Sequence, residues 1–199
     1  MNKPNYESTI NKIVELYDKY GQSDYIGEQV TQTQHMLECA QLAETHLTSP
    51  TLSTSNKSEI ILGALFHDIG HLVGLQQASS KMSTLGIHGH EHIGANALRQ
   101  LGIPGLIPDL VEKHVLAKRY LTFKNPSYLN KLSSASKKTL IYQGGPMTQE
   151  QASKFEQDPH FNVILLLRTW DDQAKENIPV KPLSYYIDML KDVLTAHSN

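Results

Sequence analysis

One segment constrains the fold of this chain more than any other: EIILGALFHDIG, Glu59 to Gly70. It is apolar on most sides, which a helix tolerates only when it is buried. Yet it ends in an imidazole and a carboxylate, His67 and Asp68. Burying either without a partner is costly, so neighbouring elements must bring complementary groups to that point. The fold therefore has to converge on the end of this helix.

The elements available to do so are helices. Helical spacing of apolar residues runs through STINKIVELYDKY, with Ser8 and Thr9 as expected N-caps, and through TQTQHMLECAQLAETHL. Residues 48–57 are rich in Ser and Thr and read as a loop, and Gly70 and Gly74 are expected to end the buried helix. A Gly-containing segment between Leu75 and Gly89 reads as a flexible loop over a site. Further helices are expected over HEHIGANALRQLG, stopped by Gly102, and over IPDLVEKHVLAKRYL, with Pro108 at its first position. Three more are expected over TQEQASKFEQD, capped by Thr148, over Phe161–Lys175 and over Leu183–Ala196. SSASKKTLIYQGGP is ambiguous, and no strand or repeat stands out. The expectation is one all-α domain across residues 1–199.

Polar residues inside these helices form a pattern. His35 lies in QHMLECA, His114 in LVEKHVLAKRY, and Asp171 and Asp172 follow VILLLRTW. Taken singly, His35 or His114 reads as a hydrogen-bonded core histidine. Taken together with His67 and Asp68, such residues occur on successive helices, and a shared cation would resolve the burial cost of all of them. An N/O donor set without thiolate suits iron, manganese or zinc. Adjacent His67 and Asp68 diverge by about 100° on a helix, so they meet one ion only near a helix end, or serve two ions with the carboxylate bridging.

Lys118 lies four residues after His114 and Arg168 three before Asp171, so each shares a helical face with a candidate ligand. Cations in that register point to an anionic ligand, whereas Lys113 and Arg119 read as surface residues. The net charge of −2, without a block of like charges, gives no support for nucleic-acid binding. The longest apolar run, VILLL, is too short for a bilayer, the N-terminal stretch has no signal-type run, and Cys39 is the single cysteine. No membrane association and a reducing cytoplasm are the expectations.

His35, the pair at 67–68, His114 and the late aspartate resemble the HD-domain metalloprotein superfamily, whose members are usually phosphohydrolases. Longer stretches narrow the likeness: YIGEQVTQTQH (25–35), HDIGH (67–71), GHEHIGANALRQLG (89–102), HVLAKRYL (114–121) and RTWDDQAK (168–175). They are similar to the mixed-valent di-iron oxygenases of organophosphonate catabolism, relatives of inositol oxygenase, over roughly residues 20–176. The resemblance implies an HD-domain helical bundle, with its metal-site core at about 25–176. It also implies two irons, Fe2+ and Fe3+, O2 as co-substrate and a small organophosphonate as substrate.

Position by position, the resemblance implies His35, His67, Asp68, His90, His114 and Asp171 as ligands, with Asp68 bridging. His90 is preferred to His88 and His92, and Asp171 to Asp172. It implies phosphonate contacts from His71, Lys118, Ser136, Thr139 and Arg168. Tyr25 and Glu28 would form a movable gate, the glutamate meeting a substrate amine. The implied reaction cleaves the C–P bond of a 1-hydroxyphosphonate such as 2-amino-1-hydroxyethylphosphonate, giving phosphate and a carboxylic acid such as glycine. Two other readings use the same helices: a phosphohydrolase acting on a phosphomonoester or nucleotide through a metal-bound water, and a non-catalytic module that keeps metal for stability.

Overall fold

The computed structural model describes residues 6–25, 27–48, 56–82 and 85–198. Among them are eleven helices: α1 Glu7–Tyr20, α2 Gln32–Leu47, α3 Lys57–Phe66, α4 Ile69–Gln76, α5 His90–Gln100, α6 Leu106–Lys124, α7 Pro126–Lys131, α8 Ser134–Tyr142, α9 Gln149–Phe155, α10 Phe161–Gln173 and α11 Leu183–Ala196. The described residues hold no strand, only two isolated bridges, Asp24 with Thr31 and Lys81 with Ile87. The all-α expectation holds.

α3 is the hub. Every residue from Ile60 to Phe66 is buried, and α2, α6, α10 and α11 all pack on α3. Leu62, Leu65, Met36, Ile107 and Leu110 are among the residues of one continuous core. Burying such side chains stabilises by roughly 1.5–3 kcal/mol each, which makes α3 the element the other helices assemble on. Among the described residues, no single helix is long and apolar enough to cross a membrane.

Several local expectations need correction. Tyr6, not Ser8 or Thr9, is the N-cap of α1; Thr9 instead donates to Leu101 O at 2.9 Å. Pro108 sits in the third position of α6, behind the Gly105 cap. Asn125 caps α7, which begins at Pro126 and had no counterpart in the expected elements. α10 ends at Gln173, two residues early. The loop expected at 48–57 lies mostly outside the described residues, since 49–55 are not among them, and α3 already starts at Lys57. The segment expected to be a loop from Leu75 starts inside α4, which runs to Gln76.

The most consequential correction concerns Gly70 and Gly74, which do not end the buried helix. The chain breaks earlier, at His67 and Asp68, where α3 and α4 meet at 45°. Asp68, with φ −104° and ψ 9°, leaves the helical region there. This break lets His67 and Asp68 converge instead of diverging around one axis. Both glycines then lie within α4, where they serve close packing: Gly74 against Ile87 and Gly70 against the backbone of His90.

Candidate metal centre

Five elements deliver side chains to the α3–α4 break. His35 comes from α2, His67 and Asp68 from the break itself, His90 from the first position of α5, His114 from mid-α6 and Asp171 from α10. All are buried. Thr31 caps α2 by accepting from Gln34 N, which sets the register that turns His35 inward.

The groups divide into two sets that share Asp68. In the first, His35 Nε2 and His67 Nε2 lie 3.0 Å apart. Asp68 Oδ2 is 3.6 and 3.5 Å from these nitrogens, and Asp171 Oδ1 is 3.4 and 3.7 Å from them. In the second, His90 Nε2 and His114 Nε2 lie 3.1 Å apart, with Asp68 Oδ1 at 3.2 and 3.5 Å. One carboxylate thus turns one oxygen to each imidazole pair.

The tautomers make this arrangement fit a cation. Nδ1 of His35, His67, His90 and His114 faces the backbone oxygen of Ala174, Ala64, Ile87 and Val111 at 2.7, 2.8, 3.3 and 2.7 Å. A carbonyl only accepts, so each Nδ1 carries a hydrogen, and when the ring is neutral its Nε2 presents a lone pair. Two lone pairs facing each other at 3 Å repel unless a cation lies between them. Asp171 Oδ1, buried and without a hydrogen-bond donor, asks for the same cation. Backbone carbonyls that orient ligating imidazoles are the usual outer support of a metal. The residues fit a metal at either set, and the absence of sulfur from the donor set suits iron, manganese or zinc.

His71 is different. Ile87 N donates to its Nδ1 at 3.0 Å, so the ring hydrogen sits on Nε2. Burial, reinforced by His90, pushes its pKa down to about 3 and keeps it neutral. It stacks on His90 with ring centroids 4.1 Å apart, and its Nε2 lies 4.0 Å from Asp68 Oδ1. His71 is therefore placed as a hydrogen-bond donor. Gly86, at φ +96°, makes room for it: a Cβ there would stand 2.6 Å from His71 Cε1. The asymmetry within HDIGH thus has a source some 16 residues away, in the segment that follows α4.

The two sets open on a cavity of about 60 Å³, walled in part by Met82 and Leu85 from the segment expected to cover a site. Lys118 Nζ donates to Thr139 Oγ1 at 2.7 Å and Gln143 Oε1 at 2.9 Å. Burial, followed by the nearby Arg168 charge, lowers its pKa to about 7. Thr139 passes its own hydrogen to Ser136 O at 3.1 Å, so it holds Lys118 while lining the cavity. Ser136 also lines the cavity, with its backbone N–H taken by Ser133 Oγ.

Arg168 is buried and clamped. It donates through Nη1 to Asp171 Oδ2 at 2.6 Å, through Nη2 to Asp172 Oδ1 and through Nε to Tyr128 OH at 3.1 Å. That leaves two of its five N–H groups for a ligand. Asp172 is committed to this clamp, accepting also from Tyr128 at 2.6 Å. Tyr25 stacks on His35 at 3.8 Å, and burial together with Asp171 raises its phenol well above its usual pKa. Glu28 pairs with Lys175 at 3.1 Å.

His88 and His92 are exposed. Lys113 and Arg119 are half-buried rather than free on the surface, Lys113 pairing with Asp158 at 2.7 Å. Cavity residues that sequence reasoning missed are Gln32, Met82, Leu85, Val115, Ala135 and Gln143, together with Tyr128 behind Arg168. The one available signal was register: Gln32 lies three residues before His35 on the same helical face.

Comparisons with known proteins show the family. The HD domain family profile matches residues 33–141. An uncharacterized protein of Acanthamoeba polyphaga mimivirus is 42% identical, over 96% of this chain and 84% of its own length. The 1-hydroxy-2-(trimethylamino)ethyl phosphonate dioxygenase (glycine-betaine-forming) of Leisingera caerulea is 38% identical, over 88% of this chain and 84% of its own. The hydroxymethylphosphonate dioxygenase of Gimesia maris is 37% identical, over 89% and 84%. With His35, His67, Asp68, His90 and His114 inside the matched residues, the chain belongs to the HD-domain family, alongside relatives named as phosphonate dioxygenases.

Proposed function

We propose that this protein is a di-iron oxygenase that cleaves the C–P bond of a 1-hydroxyphosphonate. The observation that carries the reading is Asp68, which turns one oxygen to each of two imidazole pairs. The names of the relatives supply the reaction class. His35, His67, Asp68 and Asp171 would hold one iron, and Asp68, His90 and His114 the other. As an Fe2+/Fe3+ pair they would supply the redox chemistry with O2.

The chain's own residues bind and orient the substrate. Lys118 keeps one ammonium N–H beyond its bonds to Thr139 and Gln143, Arg168 keeps two, and His71 offers Nε2–H. Together they form a donor side suited to phosphonate oxygens, with Ser136 beside them. Tyr25 and Glu28 line the same cavity, and a substituent on the substrate would meet Glu28. For 2-amino-1-hydroxyethylphosphonate the balance is substrate plus O2 giving glycine plus phosphate. All electrons come from the substrate, so no outside reductant is required.

The test is aerobic incubation of the iron-loaded protein with that substrate, following phosphate release and O2 uptake together. One phosphate per O2 is the expected result. Phosphate release from phosphomonoesters without O2 uptake would move the protein to the phosphohydrolases.

Lys118 adds a pH prediction. It is protonated below its pKa of about 7 and neutral above it. Affinity for methylphosphonate should therefore fall by roughly tenfold per unit as pH rises past 7, beyond any change that Lys118→Met also shows. Calorimetric titrations of both proteins at pH 6, 7 and 8 check this. Parallel profiles would remove Lys118 from the anion site.

A further inference from the structure

Five side-chain polar atoms among the described residues are buried without a hydrogen-bond partner: Gln32 Oε1, Thr33 Oγ1, Glu91 Oε2, Asp171 Oδ1 and Tyr186 OH. Only Gln32 and Asp171 belong to residues that wall the cavity. The geometry of the metal centre accounts for Asp171. Gln32 has no such account. It is the first residue of α2, 4% exposed, and its Nε2 donates to Asp24 O at 3.3 Å. A carbonyl can only accept, so that bond fixes the amide with nitrogen outward and leaves Oε1 as the acceptor without a donor.

Tyr25 and Glu28, which also line the cavity, precede Gln32 in the same stretch of chain, whereas the donors Lys118 and Arg168 come from α6 and α10. The cavity lining therefore offers acceptors as well as donors. Among the acceptors, Glu28 is already paired with Lys175, both largely buried. The charge of that carboxylate is matched, which leaves the directional acceptor, Gln32 Oε1, to discriminate.

We propose that Gln32 is a substrate-recognition residue whose Oε1 accepts a hydrogen bond from the phosphonate's substituent, so that the site selects a primary ammonium over a trimethylammonium group. This rests on the phosphonate reading of the cavity. A primary ammonium brings N–H donors, which satisfy Oε1. A trimethylammonium brings the same charge but no N–H, and its methyl groups would cover Oε1 and leave it unpaired. Sites built around a hydrogen bond reject the analogue that cannot make it more strongly than apolar pockets reject a change of size. The substrate class is thereby distinguished from the trimethylamino compound named for the Leisingera relative.

The test uses metal-loaded protein and three phosphonates without a 1-hydroxyl group: methylphosphonate, 2-aminoethylphosphonate and its N,N,N-trimethyl counterpart. Affinities are measured by calorimetry for the wild type, Gln32→Leu and Gln32→Glu, with thermal unfolding as the check on folding. The wild type should bind the primary ammonium at least about tenfold more tightly than the trimethyl compound. Gln32→Leu should abolish that preference by weakening the primary ammonium alone, and Gln32→Glu should keep it. Equal wild-type affinities would overturn the inference, whether or not the leucine variant folds. So would a preference that survives intact in Gln32→Leu. Failure of all three compounds to bind the wild type would instead sink the phosphonate reading itself.

Discussion

A Gly70→Ala variant should unfold roughly 5 °C or more below the wild type and lose the metal position proposed at His90 and His114. A Cβ at Gly70 would lie 1.8 Å from His90 O, 2.6 Å from His90 C and 2.8 Å from Gly94 N. All three are backbone atoms, so no side chain can swing away to relieve the overlap. Gly94 faces the same contact from the other side, where its own Cβ would meet Gly70 N at 2.9 Å. The two glycines let α4 and α5 touch along their backbones.

Alanine would favour an isolated helix by about 1 kcal/mol over glycine. Here that gain is smaller than the cost of displacing α5, since overpacking a close-packed contact costs about 1–3 kcal/mol and more when backbone must move. The displaced residue is His90, whose Nε2 stands 3.2 Å from Asp68 Oδ1. Metal titration of the variant should therefore show the position at His35, His67 and Asp171 filled and the other weakened. Wild-type melting with two full equivalents bound would refute this account of the glycine contact.

That glycine also shows where sequence reasoning reached its limit. A glycine in an apolar helix reads as a stop signal, and Gly70 and Gly74 were both expected to act as one. Their function depends on His90 and Ile87, on parts of the chain that local pattern does not connect to them. The helical class was legible because most helices carry apolar residues at helical spacing. α7 escaped because its six residues bury nothing and only Asn125 and Pro126 mark its start. The cluster itself was legible for an energetic reason: imidazoles and carboxylates inside apolar helices need partners, and α2, α6 and α10 each supplied one while the end of the buried α3 segment supplied two. The division of labour within HDIGH was not. The ligand-type tautomer of His67 and the donor tautomer of His71 depend on which nitrogen meets a carbonyl and which an amide N–H, at Ala64 and Ile87. Gln32 escaped because a glutamine in a first turn ordinarily faces water, and only its register three residues before His35 marks this one as inward-facing.

Asp68→Asn should leave a folded chain that no longer binds two metals and loses more than a hundredfold in turnover. The side chains are nearly the same size, and the amide nitrogen can donate to an imidazole Nε2 where the carboxylate only accepts, so the metal-free protein has no reason to unfold. Burial alone would push the Asp68 carboxyl up, but the His67, His114 and His90 imidazoles outweigh burial and hold it well below its usual range. The carboxylate is thus kept charged at the one point that both proposed metal positions would share. Its replacement removes an anionic ligand from each position at once, whereas Asp171→Asn removes one from the His35–His67 position alone. Outer-sphere partners of metal ligands typically contribute 10–100-fold to affinity or activity, and a shared ligand should exceed that range. The readout that separates this from general damage is thermal: added iron should raise the melting temperature of the wild type, because a ligand bound to the native state stabilises it by mass action. It should raise that of Asp171→Asn less, and leave Asp68→Asn nearly unmoved. If Asp68→Asn retains two irons per chain and turnover within tenfold of the wild type, Asp68 is not the shared ligand and the two imidazole pairs do not form one centre.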